Sequence, residues 1–439
     1  MSPRENIATP DNGFYVLVTG ANSGLGLAIG TRLIDEFLQT RPQSESLVLI
    51  ITTRDRRKGD ATIETLEKHL RTVISSHERI LPGISQVLQR RVYFRQERLD
   101  LLSLVSVQKL CKKLRETTPK LDVVVCNAGI GGWTGINWPL AIWTILTGWK
   151  SAVTWPTFKL AGVGRVAKPQ IPADKRVEEP PLGEVFCANF FGHYLLGHYL
   201  APLLAKHPRN EHTRGRLIWV SSLEAYDHMF DINDLQGLAS HAPYESSKRL
   251  TDVMAICSRL PSTADLVAHY FDGAHDSEKT SSPRIYTSHP GICGTSIIAL
   301  PVILEYLMFT AFYIARWLGS QWHPVTAAKG ATAMVWLALA KQSTLDSMEG
   351  KDGVGKWGSA TDVWGRERVE RTEVAGWGWG GRLGETRTSG RDPYAQDVSQ
   401  ENQERFLQIG QKCWEEMERL RREWEERLRV AGIAVEMES

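Results

Sequence analysis

The stretch "GFYVLVTGANSGLGLAIGTRLIDEFLQ" (Gly13–Gln39) decides the fold. Gly13–Gly20 is a short apolar run ending in glycine, as in a strand buried on both faces. From Leu25 the period changes: Leu25, Ala28, Ile29, Leu33, Ile34 and Phe37 recur at helical spacing. The link between them, "TGANSGLG" (Thr19–Gly26), has glycines at 20, 24 and 26. Such a turn needs positive φ and brings a phosphate close to the N–H groups at a helix N-terminus. A glycine triplet alone is common; strand before and helix after make it a dinucleotide-binding turn. Gly20, Ser23, Gly24, Leu25 and Gly26 are its candidate ligands.

The strand–helix unit repeats. "LVLIITT" (Leu47–Thr53) leads to a helix over Asp60–Ile74, and Arg91–Asp100 leads to a helix over Leu104–Leu114. Leu121–Gly129, Arg216–Ser222 and Arg284–Gly291 read as further strands. The class is α/β, a doubly wound parallel sheet of Rossmann type, with its ligand at the carboxyl ends of the strands. Residues 12–345 are assigned to this domain, with an insertion at 130–182 carrying Trp133, Trp138, Trp143, Trp149 and Trp155. A second departure is the apolar run 296–318. It is long enough to span a bilayer, but Pro301, Glu305 and Arg316 suit a surface-dipping hairpin better than a span or a buried lid. Residues 346–398 read as a flexible Gly/Trp-rich loop region, and 399–439 as an amphipathic helical tail. The tail's apolar stripe is Phe406, Ile409, Cys413, Met417, Leu420 and Trp424, read as packing on the body rather than as a coiled coil.

Charge and cysteine usage exclude other classes. The net charge of +2 over 439 residues offers no electrostatic case for nucleic acid. Six dispersed cysteines without a Cys-x-x-Cys pair suit reduced thiols facing the cytosol, and no metal site is expected. "MSPRENIATPDNG" has no apolar stretch, so no cleaved signal peptide is read.

The end of the second strand bears on the cofactor. A carboxylate there would hold a ribose 2′-hydroxyl and repel a 2′-phosphate, which an arginine can pair with. Thr53 and Arg54, then Asp55, Arg56, Arg57 and Lys58, favour NADP(H), with Arg54 and Lys58 as the candidate cations.

"PYESSK" (Pro243–Lys248) supplies a Tyr-x-x-x-Lys pair. Eleven tyrosines would produce about half such a match by chance. Tyr244 and Lys248 fall one helical turn apart, on one face. An ammonium about 4 Å from a phenol contributes roughly 4 kcal/mol at an effective dielectric of 20, or about three pKa units. Desolvation opposes it, and a net lowering of about one to three units is expected.

The glycine turn, "NAG" (Asn127–Gly129) and "YESSK", in this order, resemble the short-chain dehydrogenase/reductase family over most of Phe14–Ala340. The resemblance implies Asp100 near the adenine, Asn127 bracing the cofactor site, and Ile292 and Thr295 of "PGICGT" beside the nicotinamide. It implies Tyr244 as proton donor, Lys248 as its activator and a grip on the ribose, and Asn189 of "VFCANFFGHYLL" holding a water that refills the proton. A serine ending "RLIWVSS" would orient the carbonyl; the family pattern takes Ser222, with Ser221 the alternative.

The chain is also similar to a narrower family, the 3-keto-steroid reductases of sterol biosynthesis, related to animal 17β-hydroxysteroid dehydrogenase type 7. The carrying stretches are "NAGIGGWTGINWPLAIWTILT" (Asn127–Thr147), "RLIWVSSLEAY" with "DINDLQ", "PYESSKRLTDVM", and "HPGICGTSIIALPVILEYLMF" leading to "HPVTAAKGATAMVWLAL". The family implies NADPH reduction of a sterol 3-ketone to the 3β-alcohol during C-4 demethylation. It implies work at the endoplasmic reticulum membrane, on its cytosolic face or at lipid droplets, beside other C-4 demethylation enzymes. The resemblance also suggests a final strand near Lys356–Ala360, while the Gly/Trp-rich loop after Gly350 departs from the family pattern. Another membrane-associated carbonyl reductase, for a retinoid, acyl ketone or secondary metabolite, and a non-enzymatic NADP-binding scaffold are the rival readings.

Overall fold

Alternation along the first strand, β1 (Gly13–Thr19), feeds both halves of the core. Tyr15 and Leu17 enter one apolar cluster while Val16 and Val18 enter the other, as successive side chains of a strand must. The computed structural model describes residues 10, 12–175, 177–206, 213–271, 282–294, 302–385, 387 and 389–436.

After β1 the strands are β2 (Ser46–Thr53), β3 (Val92–Arg98), β4 (Val123–Cys126), β5 (Trp133–Ile136), β6 (Lys159–Ala161), β7 (Arg216–Val220), β8 (Arg284–His289), β9 (Lys356–Thr361) and β10 (Glu367–Thr372). Among the described residues, eight form one sheet in the order β10-β9-β8-β7-β4-β1-β2-β3, and β5 pairs with β6 alone. The sheet is parallel except for the β9–β10 hairpin. The order reverses at β1, which lies between β2 and β4, so the crevice for a ligand opens over the ends of β1 and β4.

The main helices are α1 (Gly24–Thr40), α2 (Arg56–Ile80), α3 (Leu104–Thr117), α4 (Trp138–Thr154), α5 (Gly192–Tyr199), α6 (Pro243–Cys257), α7 (Val302–Trp317), α8 (Thr332–Leu339) and α9 (Gln400–Val430). α1, α2 and α8 cover one face of the sheet. α3, α5, α6 and α9 cover the other. The expected strands and helices are present, with ends shifted by a few residues.

The tail helix is packed on the body. Its stripe residues Phe406, Cys413, Met417, Leu420 and Trp424 are buried, with Ile409 partly so. The Trp414 indole donates to the Met254 carbonyl of α6, and the Tyr194 hydroxyl of α5 donates to Glu418.

Residues 346–398 are not a flexible loop. They contain β9, where the resemblance suggested a final strand near Lys356–Ala360, and also β10, which was not expected, so the sheet runs past 345. Beyond β10, Trp377 and Trp379 are buried, and Trp377 stacks on Phe406 of α9 with ring centres 5.5 Å apart. Gly376 and Gly378, at φ 75° and 73°, supply the left-handed turns that tuck these indoles under the tail. Composition alone hides this, because glycine-rich loops and tight glycine turns read alike.

Candidate active site

Two close approaches shape the turn after β1. Gly20 has φ 64°, and a Cβ there would lie 2.8 Å from that of Ala128. At Gly26 a Cβ would stand 2.2 Å from the Gly20 carbonyl oxygen. The Ser23 side chain makes no capping bond to α1. The N–H groups that every helix leaves unpaired in its first turn therefore remain for a ligand. Ser23, Gly24, Leu25 and Gly26 border a cavity of about 700 Å³. Asn127 braces the turn, its side-chain amide donating to the carbonyls of Thr19 (2.9 Å) and Gly20 (3.4 Å). The Thr19 hydroxyl accepts from the Asn127 and Ala128 N–H groups and contacts Nε2 of buried His193 at 2.9 Å. Burial pushes the His193 imidazole down to about 3, so it is a neutral partner. This cradle fits a dinucleotide pyrophosphate.

Thr53, Arg54, Asp100, Asn127 and Ile292 border the same cavity. The Asp55 carboxylate caps α2, accepting from the Lys58 N–H at 2.9 Å. Neither Asp55 nor Lys58 is brought to the cavity; Arg54 is the residue of the basic run that is. Thr295 lies outside the described residues.

At the other end stand Tyr244, Lys248 and the serines. The Ser222 hydroxyl is a polar neighbour of the Tyr244 phenol, whose pKa it lowers, and both residues border the cavity. The Ser221 hydroxyl is turned to the Lys248 carbonyl at 3.3 Å. The geometry therefore favours Ser222 over its neighbour. Lys248 is on the same helix face as Tyr244, 5.6 Å from its ring centre, and its ammonium donates to the Val220 carbonyl at 2.7 Å. The phenol is pushed up rather than down. Burial is the largest cause, followed by Glu224; the Ser222 hydroxyl opposes them, and Glu245 adds further upward push. The expected lowering by Lys248 is not what this environment produces, because desolvation and two carboxylates act on the phenol. Burial also pulls the Lys248 ammonium down to about 8.

Asn189 lies behind the cavity, in a π-turn over Cys187–Phe191. Its Oδ1 accepts from the Ile130 N–H (2.7 Å), and its amide donates to the Ile130 carbonyl (3.0 Å) and the Ser247 hydroxyl (3.1 Å). Its side chain clamps the β4 loop to α6, beside Lys248, where the resemblance implied a hold on water.

Apolar walls enclose the remaining cavity. α4 contributes Trp138, Ile145, Ala152 and Val153; α7 contributes Leu304, Leu307, Met308 and Phe312. The two helices pack together, and the Lys150 ammonium of α4 donates to the Leu318 carbonyl. Among the described residues, then, α7 packs on the insertion helix. No described helix is long and apolar enough to cross a membrane. Residues 295–301 lie outside the described residues.

Several neighbours of Tyr244 escaped the reading of the sequence. The Trp133 ring lies 4.9 Å from the Tyr244 ring, and the largely covered side chains of Lys159, Glu224 and Glu245 surround them. Lys159 left one signal: with Lys150 it is one of two charged residues in the whole of Ile130–Val163.

No family model matches the chain. Over 445 residues it is 45% identical to the 3-keto-steroid reductase erg27 of Aspergillus fumigatus, covering 97% of each chain. The chain belongs to the 3-keto-steroid reductase family. It is also 38% identical to the Gibberella zeae member over 95% of each chain, and 33% identical to that of Schizosaccharomyces pombe, over 82% of this chain and 90% of the other. A short-chain type dehydrogenase/reductase from Mycobacterium ulcerans superposes with a TM-score of 0.43 at 14% identity, covering 77% of this chain and 86% of that one. The family is one of oxidoreductases that use a nicotinamide cofactor, and the glycine cradle is where this chain would hold it.

Proposed function

We propose that this protein reduces the 3-ketone of a sterol intermediate to the 3β-alcohol with NADPH, within C-4 demethylation. The observation that carries the reading is an apolar cavity ending on Tyr244 and Ser222, in a chain whose whole-length relatives are named 3-keto-steroid reductases. When bound, the nicotinamide supplies the hydride. Ser222 would hold the substrate oxygen, and Tyr244 would give it a proton. A buried phenol with a raised pKa is protonated at neutral pH, the form that donates. Lys248 would grip the cofactor ribose, and the backbone amides of Gly24–Gly26 its pyrophosphate.

Support for NADP(H) over NAD(H) comes from the β2 end. Arg54 borders the cavity, whereas the Asp55 carboxylate is committed to capping α2. An arginine can pair with a 2′-phosphate where an aspartate would repel it.

The same proposal puts the protein on the cytosolic face of the endoplasmic reticulum membrane, or on lipid droplets, beside other C-4 demethylation enzymes. Its support is a bare apolar surface on the two cavity-walling helices. Trp143 (65% exposed) and Leu146 (78%) on α4, with Ile303 (76%) and Tyr306 (72%) on α7, are its most open members. A water-insoluble ring system could pass from lipid into the cavity between them.

The test is purified full-length protein with NADPH and a 3-keto-4-methylsterol, followed by loss of the reduced-nicotinamide absorbance. Turnover to the 3β-alcohol is expected. Consumption with retinal but none with the ketosterol would replace the substrate, and binding of NADPH without reduction of any ketone would favour a scaffold.

A further inference from the structure

Lys159 is a buried cation inside an apolar insertion. Its side chain is 7% exposed, and those of Glu224 and Glu245 are 10% and 7% exposed. From β6 its ammonium pairs directly with Glu224 and stands 3.6 Å from Glu245. It lies 4.0 Å from the centre of the Trp133 ring and 5.4 Å from that of Tyr244. Lys159, Glu224, Trp133 and Tyr244 all border the cavity.

These groups act on the phenol in opposite directions. A carboxylate favours the neutral phenol over the phenolate, and an ammonium does the reverse. The groups around Tyr244 are Ser222 and Glu224 after β7, Cys293 after β8, Lys159 of β6, and Glu245 and Lys248 on its own helix. Lys248 is turned to the Val220 carbonyl, so Lys159 is the cation on the side of the two carboxylates.

We infer that Lys159 is a positioning residue for ketone reduction: by bridging Glu224 and Glu245 it screens the Tyr244 phenol from both carboxylates and holds the Trp133 ring against it. The inference rests on the reductase reading above and gives the insertion a part in the proton chemistry as well as in the apolar wall. Burial drives the Glu245 carboxyl up to about 7 with Lys159 as the main opposing influence, which fits a lysine that matters to the ionisation of its neighbours.

The test compares wild type, Lys159→Met, Lys159→Arg and Glu224→Gln as full-length proteins. Oxidation of a 3β-hydroxysteroid by NADP⁺ rises with pH as the phenolate forms, and the positive charge of bound NADP⁺ opposes the upward push on the phenol, so the midpoint of the loaded enzyme reads Tyr244. Lys159→Met should move that midpoint up by about one pH unit or more and slow turnover at neutral pH about tenfold. Binding of NADPH should stay within about twofold of wild type, since Lys159 is remote from the glycine cradle. Lys159→Arg should keep the wild-type midpoint, and Glu224→Gln should lower it. A slowed Lys159→Met enzyme with an unmoved midpoint overturns the inference, because a merely structural lysine would behave that way. If Lys159→Met does not fold, Glu224→Gln decides, and an unmoved midpoint there is fatal. If wild type turns over no 3-oxygenated steroid, the reductase reading fails by itself. The onset of phenolate absorbance, each protein against its Tyr244→Phe counterpart, then reads the same shift without substrate; equal onsets in wild type and Glu224→Gln overturn the inference.

Discussion

The Lys356 ammonium donates to the Ser222 carbonyl at 2.5 Å. It also pairs with Asp252 of α6 at 2.6 Å, both side chains 2% exposed. The strand that follows the apolar segments thus ties the end of β7 to the helix that bears Tyr244. Removing one partner of a buried pair leaves the other uncompensated, so Lys356→Met should cost about 3–5 kcal/mol of stability by chemical denaturation. A second change, Asp252→Leu, should restore part of it. A loss below about 1 kcal/mol would mean that the pair holds little.

Tyr244→Phe removes the proposed proton donor and little volume. Turnover should fall by about 10²–10⁴-fold, while NADPH binding, read by fluorescence titration, stays near wild type. Ser222→Ala should act in the same direction, whereas Ser221→Ala, whose hydroxyl is turned to the Lys248 carbonyl, should leave catalysis much closer to normal. Equal losses for the two serines would contradict the assignment of Ser222.

Cofactor choice has a separate readout. Arg54→Ala should weaken NADPH by about 10–100-fold, the size of a lost hydrogen bond to a charged group, and NADH far less. Equal weakening of both would show that Arg54 does not meet the 2′-phosphate.

The surface proposal predicts sedimentation with vesicles of endoplasmic-reticulum lipid composition. Replacing Trp143 and Leu146 with Gln, or Ile303 and Tyr306 with Gln, should each reduce the bound fraction several-fold, since these side chains are exposed and would lose buried apolar area only on lipid. Unchanged sedimentation of both variants would remove this face from consideration.

Acid should destabilise the fold through its buried histidines. His193 is pushed down to about 3 and His323 to about 4, with burial the main cause in each case. The unfolded chain binds these protons near pH 6.5 and the folded chain does not, so stability is full above that value. It falls with decreasing pH until the folded groups protonate, by about 1.4 kcal/mol per pH unit for each histidine. Denaturation midpoints measured from pH 7 to pH 5 should show this slope, and His193→Asn should flatten it. A midpoint independent of pH over this range would contradict the burial of neutral imidazoles.

The parallel sheet, the glycine turn and the Tyr244–Lys248 pair were legible because each is a local pattern. Period-two and period-3.6 apolar spacing, left-handed turns and i,i+4 neighbours are properties of a few consecutive residues. The amphipathic tail was legible for the same reason. The Gly/Trp-rich segment misled because its order comes from packing under α9, which no local pattern announces.

What surrounds the phenol was decided only by the tertiary structure. Lys159 meets Glu224 across 65 residues, and Lys356 meets Ser222 across 134. Other long-range contacts engage the Ser221 hydroxyl with the Lys248 carbonyl and the Asn189 amide with Ile130 and Ser247. The sequence by itself determines which segments become strands and helices and where a dinucleotide can bind. The direction in which the Tyr244 pKa moves depends on desolvation and on charges brought together from distant segments, and those distances exist only in the folded chain.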